Sequence, residues 1–187
     1  MLYIFDMGGV VTSTSSENAI IAKTLGLKQS EFDSYTSDLF LQYSDGMINS
    51  REFWMAFSER SGIPVHTDFF HLFFHPKLNL ETVKLINLLK DKGNRVVCGT
   101  NTIDSHYFNH LERGDYAFFD QTYASFQMGV SKPNPKFWEL ILLSENEKAE
   151  NTIFTDDKLE NCQAAAQLGI KSIHFKDIST LYAELSE

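Results

Sequence analysis

The sequence predicts an α/β protein with a doubly wound parallel sheet and a helical insertion after the first strand. Short apolar runs that suit buried strands recur along the chain, and each is followed by a helical pattern. Residues 14–78 break this alternation, because they contain helical patterns and no convincing strand. We therefore predict a core formed by residues 1–13 and 79–187 and an inserted cap formed by residues 14–78.

Five apolar segments predict the strands of the core. Each is short and bounded by polar or turn-forming residues, as expected for strands buried on both faces of a parallel sheet. They are "LYIF" at 2–5, "RVVCG" at 95–99, "QTYAS" at 121–125, "TIF" at 152–154 and "KSIHF" at 171–175.

Capping residues mark the helices between these strands. Asn79 is a candidate N-cap for a helix that ends at Gly93. Asn134 and Pro135 are a cap and first-turn pair before "KFWELILL". A third helix, "LENCQAAAQL", ends at Gly169.

Three helical patterns fill the insertion. "SSENAIIAKTL" follows a candidate capping box from Thr14 to Glu17, and "SEFDSYTSDLFLQY" and "SREFWMAFSER" come next. The aromatic run "DFFHLFFHP" at 68–76 is expected to pack within the insertion or against the sheet.

The composition excludes several classes of function. The net charge is −9, and no cluster of lysine or arginine offers a face for nucleic acid. No apolar stretch reaches the roughly 20 residues that span a bilayer, and the N-terminus lacks a signal-peptide pattern. Cys98 and Cys162 have no metal-type spacing, so we expect reduced, buried thiols and a cytoplasmic protein.

Polar residues follow four of the predicted strands. Ligands of open α/β sheets bind at the carboxyl ends of the strands, so these residues are expected to meet at one edge. The set comprises Asp6, Thr100, Asn101, Lys132, Asp156 and Asp157.

This combination suits phosphoryl transfer. Asp6 could accept the phosphoryl group as a carboxylate nucleophile, and Thr100 and Lys132 could bind its oxygens. Three carboxylates in one pocket repel one another unless a cation lies among them, and hard oxygen ligands favour Mg²⁺. Each residue alone could instead be a cap, a turn former or a solvated charge, but their joint position favours a site.

Four motifs in order resemble the haloacid dehalogenase superfamily of hydrolases over essentially the whole chain. They are "YIFDMGG", "VVCGTN", "GVSKPNP" and "TIFTDD". The resemblance implies a Rossmann-like core with a helical cap after the first strand. Within the superfamily, the "MLYIFD" opening and the "TNT" segment look most like bacterial phosphatases acting on α-D-glucose 1-phosphate.

The resemblance also implies the role of each site residue. Asp6 becomes the nucleophile, Thr100 the phosphate-binding hydroxyl with Asn101 beside it, and Lys132 the charge stabiliser. Mg²⁺ would be held by Asp6, the backbone carbonyl of Gly8 and Asp157, and Asp156 would assist through water. The implied partner is a small phosphorylated metabolite.

Gly8 departs from the family pattern, which usually has an aspartate there as general acid and base. Glycine keeps the carbonyl but has no proton to transfer, a role typically worth about 10²- to 10⁴-fold in rate. One hypothesis is a leaving group that needs little protonation, such as that of an anomeric sugar phosphate. The other is a replacement acid in the cap, from its histidines His66, His71 and His75, with Thr12, Ser13 or water equally open.

Other activities remain alternatives to a phosphatase. A haloacid dehalogenase does not require the acidic pair Asp156 and Asp157, so their presence disfavours it, and a phosphomutase is also disfavoured. A non-catalytic binding protein would explain Gly8, but it gives no physical reason for keeping Asp6, Thr100 and Lys132.

Overall fold

A computed structural model of the chain describes residues 1–14 and 16–186. Within these residues, five strands form one sheet in the order β3-β2-β1-β4-β5, and all neighbours are parallel. The strands are β1 Leu2–Phe5, β2 Arg95–Thr100, β3 Gln121–Ala124, β4 Thr152–Asp156 and β5 Lys171–His174. The predicted α/β class and parallel sheet are therefore confirmed.

Helices cover both faces of the sheet and fill the interval between β1 and β2. The insertion contains α1 Asn18–Thr24, α2 Gln29–Thr36, α3 Leu39–Ser44, α4 Ser50–Ser61 and α5 Phe69–Phe73, and α6 Leu80–Asp91 follows it before β2. The remaining helices are α7 Asp104–Glu112, α8 Ser125–Met128, α9 Lys136–Glu145, α10 Leu159–Gln167 and α11 Ile178–Ser186.

Alternate residues of β1 enter two different cores, because successive strand side chains point to opposite faces. Tyr3 and Phe5 pack with residues of α6 and α11, whereas Leu2 and Ile4 pack with residues of α9 and α10. Burial on both faces explains the continuous apolar run at 2–5.

Two strands are longer than the sequence predicted, and both extensions concern site residues. Thr100 pairs with Ala124, and Asp156 pairs with His174, so each is the last residue of its strand rather than a loop residue. The backbone ladder therefore fixes both positions rigidly.

The N-cap of α6 agrees with prediction, whereas α9 begins one residue later than predicted, with Pro135 at its N-cap position. The side chain of Asn79 accepts a hydrogen bond from the backbone N–H of Thr82 at 3.4 Å. The side chain of Asn134 accepts one from Lys136 N–H at 3.0 Å. Both interactions satisfy N–H groups that lack a partner within the helix.

Two predictions within the insertion are wrong. The helix predicted from Ser15, which lies outside the described residues, begins at Asn18. Glu17 is therefore its N-cap residue and not the third helical residue that the predicted capping box requires, and it is buried near His106. The segment "SEFDSYTSDLFLQY" forms two helices, because Arg60 donates to the carbonyl of Tyr35 at 2.8 Å and so caps the end of α2.

The insertion has its own aromatic core, as the run at 68–76 predicts. Phe70 lies at its centre and is 1% exposed, with ring centroids of Phe53 and Trp54 each 5.2 Å away. The insertion therefore packs mainly on itself; its division from the core at residues 14–78 stays a prediction.

The insertion contacts α7, for example through the hydrogen bond from Ser105 Oγ to Asp68, and it also contacts the core at two further places. At the chain crossings, Ser13 N–H donates to the carbonyl of Lys77 at 2.8 Å, and Lys77 N–H donates to Ser13 Oγ at 3.0 Å. Beyond α3, Ser125 Oγ donates to the carbonyl of Ser44 at 2.7 Å, and Ser44 Oγ lies 3.1 Å from Ser131 Oγ.

The second contact also requires a glycine in the loop after α3. Gly46 has a φ of +69°, and a Cβ there would lie 1.9 Å from the carbonyl oxygen of Phe126. We term the contact formed by Ser44, Gly46, Ser125, Phe126 and Ser131 the loop anchor.

Cys98 and Cys162 are free and buried, as predicted. Burial raises the pKa of both thiols, that of Cys162 to about 11. A search of the described residues finds no helix long and apolar enough to cross a membrane.

Candidate active site

The predicted site residues come together at the carboxyl ends of the strands. A cavity of about 230 Å³ is lined by the side chains of Asp6, Thr100, Asn101, Lys132 and Asp157, among others. Asp6 directly follows β1, and its backbone N–H donates to the carbonyl of Thr155 at 2.9 Å. Asp156 lies behind this lining and is fully buried.

Lys132 links the carboxylates beneath the cavity. Its Nζ lies 2.9 Å from Oδ1 of Asp6 and 2.7 Å from Oδ2 of Asp156, and it donates to the carbonyl of Gly99 at 2.8 Å. The ammonium therefore meets three oxygens, which satisfies a charge that burial would otherwise destabilise.

Asn101 holds Lys132 in place through the backbone. Its side-chain amide donates to the Lys132 carbonyl at 2.8 Å, and its side-chain oxygen accepts from the Lys132 N–H at 2.8 Å. Because both ends of this side chain are engaged, a phosphate contact by Asn101, as predicted, would use its backbone N–H. Among the described residues, Thr100 Oγ1 has one long hydrogen bond of 3.5 Å to the Asn101 carbonyl.

Charges in the site shift one another's pKa values. Burial raises the pKa of Asp6 to about 6, against the lowering effect of Lys132. Burial alone would lower the pKa of Lys132, but Asp6 and Asp156 together raise it, so the lysine is a permanent cation. Burial, and then the charge of Asp156, raise the pKa of Asp157.

The three aspartates form a set that could hold a cation. One carboxylate oxygen of each lies within 4.8 Å of the others. Asp157 Oδ1 is buried and has no hydrogen-bond partner among the described residues, as expected of an oxygen that a cation would bind. The all-oxygen donor set fits a hard divalent ion such as Mg²⁺.

Asp156 differs from the other two carboxylates because protein donors surround it. Besides Lys132, it accepts hydrogen bonds from Lys158 N–H at 2.8 Å and from the side chain of Asn161 at 3.0 Å. These donors leave Asp156 suited to holding Lys132 and Asn161 in position. Asp6 and Asp157 are more open to a ligand.

Residues 8 and 9 are both glycines, but they differ in the space that a side chain would have. A Cβ at Gly8 would have no heavy atom within 4 Å, so the missing side chain leaves open space. At Gly9, φ is +81° and a Cβ would lie 2.3 Å from Oδ2 of Asp157. Gly9 is thus required for the close approach of the loop to Asp157, whereas Gly8 is not sterically required.

The proposed replacement histidines do not line this cavity. His71 lies 3.2 Å from Glu112, and His66 lines a separate groove on the insertion. His75 is exposed and is also absent from the lining. Thr12 and Ser13, the other candidates, do line it.

Two histidines that the sequence reasoning missed line the cavity instead. His106 and His110 lie on α7, and Phe74 contributes an aromatic ring beside them. The signal was their position one and two helical turns after the "TNT" segment, on a helix that starts at the active edge of the sheet.

The family model of haloacid dehalogenase-like hydrolases matches residues 1–169. The chain belongs to this family of hydrolases. The predicted superfamily and the predicted hydrolase class are thus confirmed, and the four motifs are the segments that carry Asp6, Thr100, Lys132 and the pair of Asp156 and Asp157.

Similar proteins of this hydrolase family include named phosphatases. A sesquiterpene phosphatase of Aspergillus oryzae is 30% identical over 98% of this chain and 94% of its own length. A D-ribitol-5-phosphate phosphatase of Bacteroides thetaiotaomicron is 22% identical over 90% of this chain and 88% of its own length.

A solved structure of a family member from Bacteroides thetaiotaomicron, in complex with magnesium and inorganic phosphate, has a TM-score of 0.81 to this chain. It is 26% identical and covers 97% of this chain and 98% of its own.

Proposed function

We propose that this hydrolase is a Mg²⁺-dependent phosphatase that cleaves a small phosphate monoester through an aspartyl-phosphate on Asp6. The observation that carries the proposal is the position of Asp6 at the cavity surface, with the Lys132 ammonium 2.9 Å away and the open oxygen of Asp157 in the same cluster. The phosphatase names of similar proteins support the same reaction class.

Asp6 would act as the nucleophile. Its carboxylate oxygen attacks phosphorus, the P–O bond to the leaving group breaks, and an acyl phosphate forms. Water then attacks the phosphorus of this intermediate, which releases inorganic phosphate and restores the carboxylate. Lys132 neutralises charge on the phosphoryl oxygens in both steps, and Thr100 with the Asn101 N–H would bind them.

Asp6, the carbonyl of Gly8 and Asp157 would hold Mg²⁺, with Asp156 behind them. When bound, the ion would neutralise the carboxylates and polarise the phosphoryl group. The magnesium and phosphate in the similar solved structure support this assignment.

The cavity favours a small hydroxylated leaving group. Its wall includes hydroxyl side chains of Thr12, Ser13, Thr14 and Thr102, and its volume is about 230 Å³. We therefore propose a sugar phosphate such as α-D-glucose 1-phosphate as the substrate class. A sesquiterpenyl phosphate is the competing class, because a similar protein bears that name.

The test is phosphate release with and without Mg²⁺ from a panel of sugar, polyol, sesquiterpenyl and aryl phosphates. Asp6→Asn should abolish release, whereas Asp91→Asn, which changes an exposed aspartate at the end of α6, should not. Absence of Mg²⁺-dependent release from every substrate would overturn the proposal and favour a binding protein. Preference for the sesquiterpenyl ester would overturn the sugar phosphate assignment alone.

A further inference from the structure

His106 lies in the wall of the active-site cavity, unlike the histidines of the cap. Its ring stacks on Phe74 with centroids 3.9 Å apart and an angle of 11° between the planes. The rings of Phe70 and His106 are nearly perpendicular, with centroids 6.0 Å apart. The two phenylalanines therefore fix the imidazole in one orientation at the seam between the cap and the core.

Glu17 approaches the same imidazole from the segment before α1. Its Oε2 lies 3.5 Å from His106 Nε2, and Glu17 is only 5% exposed. His106 Nε2 is itself buried and makes no hydrogen bond with any of the described residues. The carboxylate of Glu17 therefore orients the imidazole from its Nε2 side.

The neighbouring histidine of the cavity is engaged differently. His110 Nδ1 lies 2.8 Å from Oδ2 of Asp115, which also accepts from Arg113 at 2.9 Å. Burial lowers the pKa of His110, so it stays neutral and structural. His106 Nε2 is buried against Glu17, so Nδ1 is the nitrogen through which the ring can reach a ligand in the cavity; among the described residues, Glu17 and His110 are the ionisable groups beside it.

We propose that His106, positioned by Glu17, is the general acid that replaces the carboxylate absent at Gly8. The proposal rests on the phosphatase function proposed above. As the Asp6 oxygen bonds to phosphorus, the P–O bond breaks and the leaving oxygen takes the proton from His106. The neutral imidazole then takes a proton from the attacking water, which completes the cycle.

Open space at Gly8 is consistent with this role. The volume that an aspartate side chain would fill there is free of heavy atoms within 4 Å of the Cβ position. A leaving group can therefore extend from the phosphoryl site toward the part of the cavity wall that carries His106, because both border the same cavity. Proton transfer from a side chain in such a position typically contributes about 10²- to 10⁴-fold.

The test compares kcat/KM for an alkyl phosphate and an aryl phosphate, since an aryl leaving group needs no proton. His106→Gln should lower kcat/KM for the alkyl ester by about 10²-fold or more, with a much smaller change for the aryl ester. The fall in alkyl turnover at high pH should disappear in this variant. Glu17→Gln should also lower kcat/KM for the alkyl ester more than for the aryl ester, because the imidazole loses the carboxylate that positions it.

Retained aryl turnover also shows that each variant is folded, and His66→Gln is the matched control on the exposed cap surface. An equal loss with both esters, or an unchanged pH profile in His106→Gln, would overturn the inference while leaving the phosphatase proposal standing. Failure of the unaltered protein to cleave either ester would instead overturn the phosphatase proposal, and the inference with it.

Discussion

Lys132 and Asp6 form a buried ion pair, with Nζ 2.9 Å from Oδ1 and the lysine side chain only 1% exposed. Asp156 completes the arrangement at 2.7 Å, so one ammonium compensates two carboxylates. The same lysine therefore stabilises the buried carboxylates, and in the proposed reaction it would also neutralise the phosphoryl charge.

Lys132→Met should lower both stability and activity. It leaves two buried carboxylates without their cation, for which we expect a loss of about 3–5 kcal/mol in the free energy of unfolding. Phosphate release should fall by about 10²-fold or more, because the phosphoryl charge is no longer neutralised. Urea denaturation and steady-state turnover measure the two effects.

A second substitution separates these effects. Adding Asp156→Asn to Lys132→Met removes one unpaired charge, so part of the stability should return while turnover stays low. Full stability of Lys132→Met in the absence of metal would contradict the pairing seen in the structure.

Mg²⁺ should stabilise the folded protein, because the aspartate cluster exists only in that state. At 100 times the dissociation constant, binding adds about 2.7 kcal/mol, which thermal unfolding with increasing Mg²⁺ detects as a rising Tm. Asp157→Asn should abolish most of this rise, whereas Asp91→Asn should retain it. An equal Tm response in both variants would place the ion elsewhere.

Gly8→Asp should fold and should accelerate alkyl phosphate cleavage more than aryl phosphate cleavage. The Cβ position is open, and the new carboxylate can protonate a poor leaving group. In a His106→Gln background, it should restore part of the lost alkyl activity. Equal effects on the two ester classes would argue against proton transfer as the missing step.

Gly9→Ala is the matched control for this loop and should behave in the opposite way. A Cβ there would lie 2.3 Å from Asp157 Oδ2, and φ of +81° disfavours any side chain. We expect a lower Tm and weaker Mg²⁺ binding, and thermal unfolding with increasing Mg²⁺ measures both.

His110 should make stability depend on pH below neutrality. Burial lowers its pKa in the folded state below the ordinary value of 6.5, so the unfolded chain takes up the proton first. Its contribution is therefore fully present above about pH 6.5 and declines as pH falls below it. Urea denaturation between pH 8 and 5 should show this decline in the unaltered protein and a shallower one in His110→Gln. Identical slopes would refute the assignment.

The sequence was sufficient to predict the positions of Asp6, Thr100, Lys132 and the Asp156–Asp157 pair. Parallel strands in register bring their carboxyl ends to one edge, so residues far apart in the chain meet without any knowledge of packing. In the sheet, Thr100 pairs with Ala124 and Asp156 pairs with His174. This strand pairing is the physical reason that the positions of Thr100 and Asp156 could be predicted.

The contact between Glu17 and His106 could not be predicted in the same way. It depends on how the insertion packs against α7, which no local periodicity encodes. Glu17 matched the last position of a capping box, yet it is the N-cap residue of α1 and lies buried beside an imidazole.

The loop anchor has a consequence for engineering the specificity of this protein. It joins the insertion to Ser131, the residue next to Lys132, through Ser44 and the close approach of Gly46 to Phe126. Grafting the insertion of a relative at its two chain crossings alone would lose this support, and the segment that carries Lys132 would lose a neighbour. A working chimera must therefore exchange the residues at 125, 126 and 131 together with the insertion.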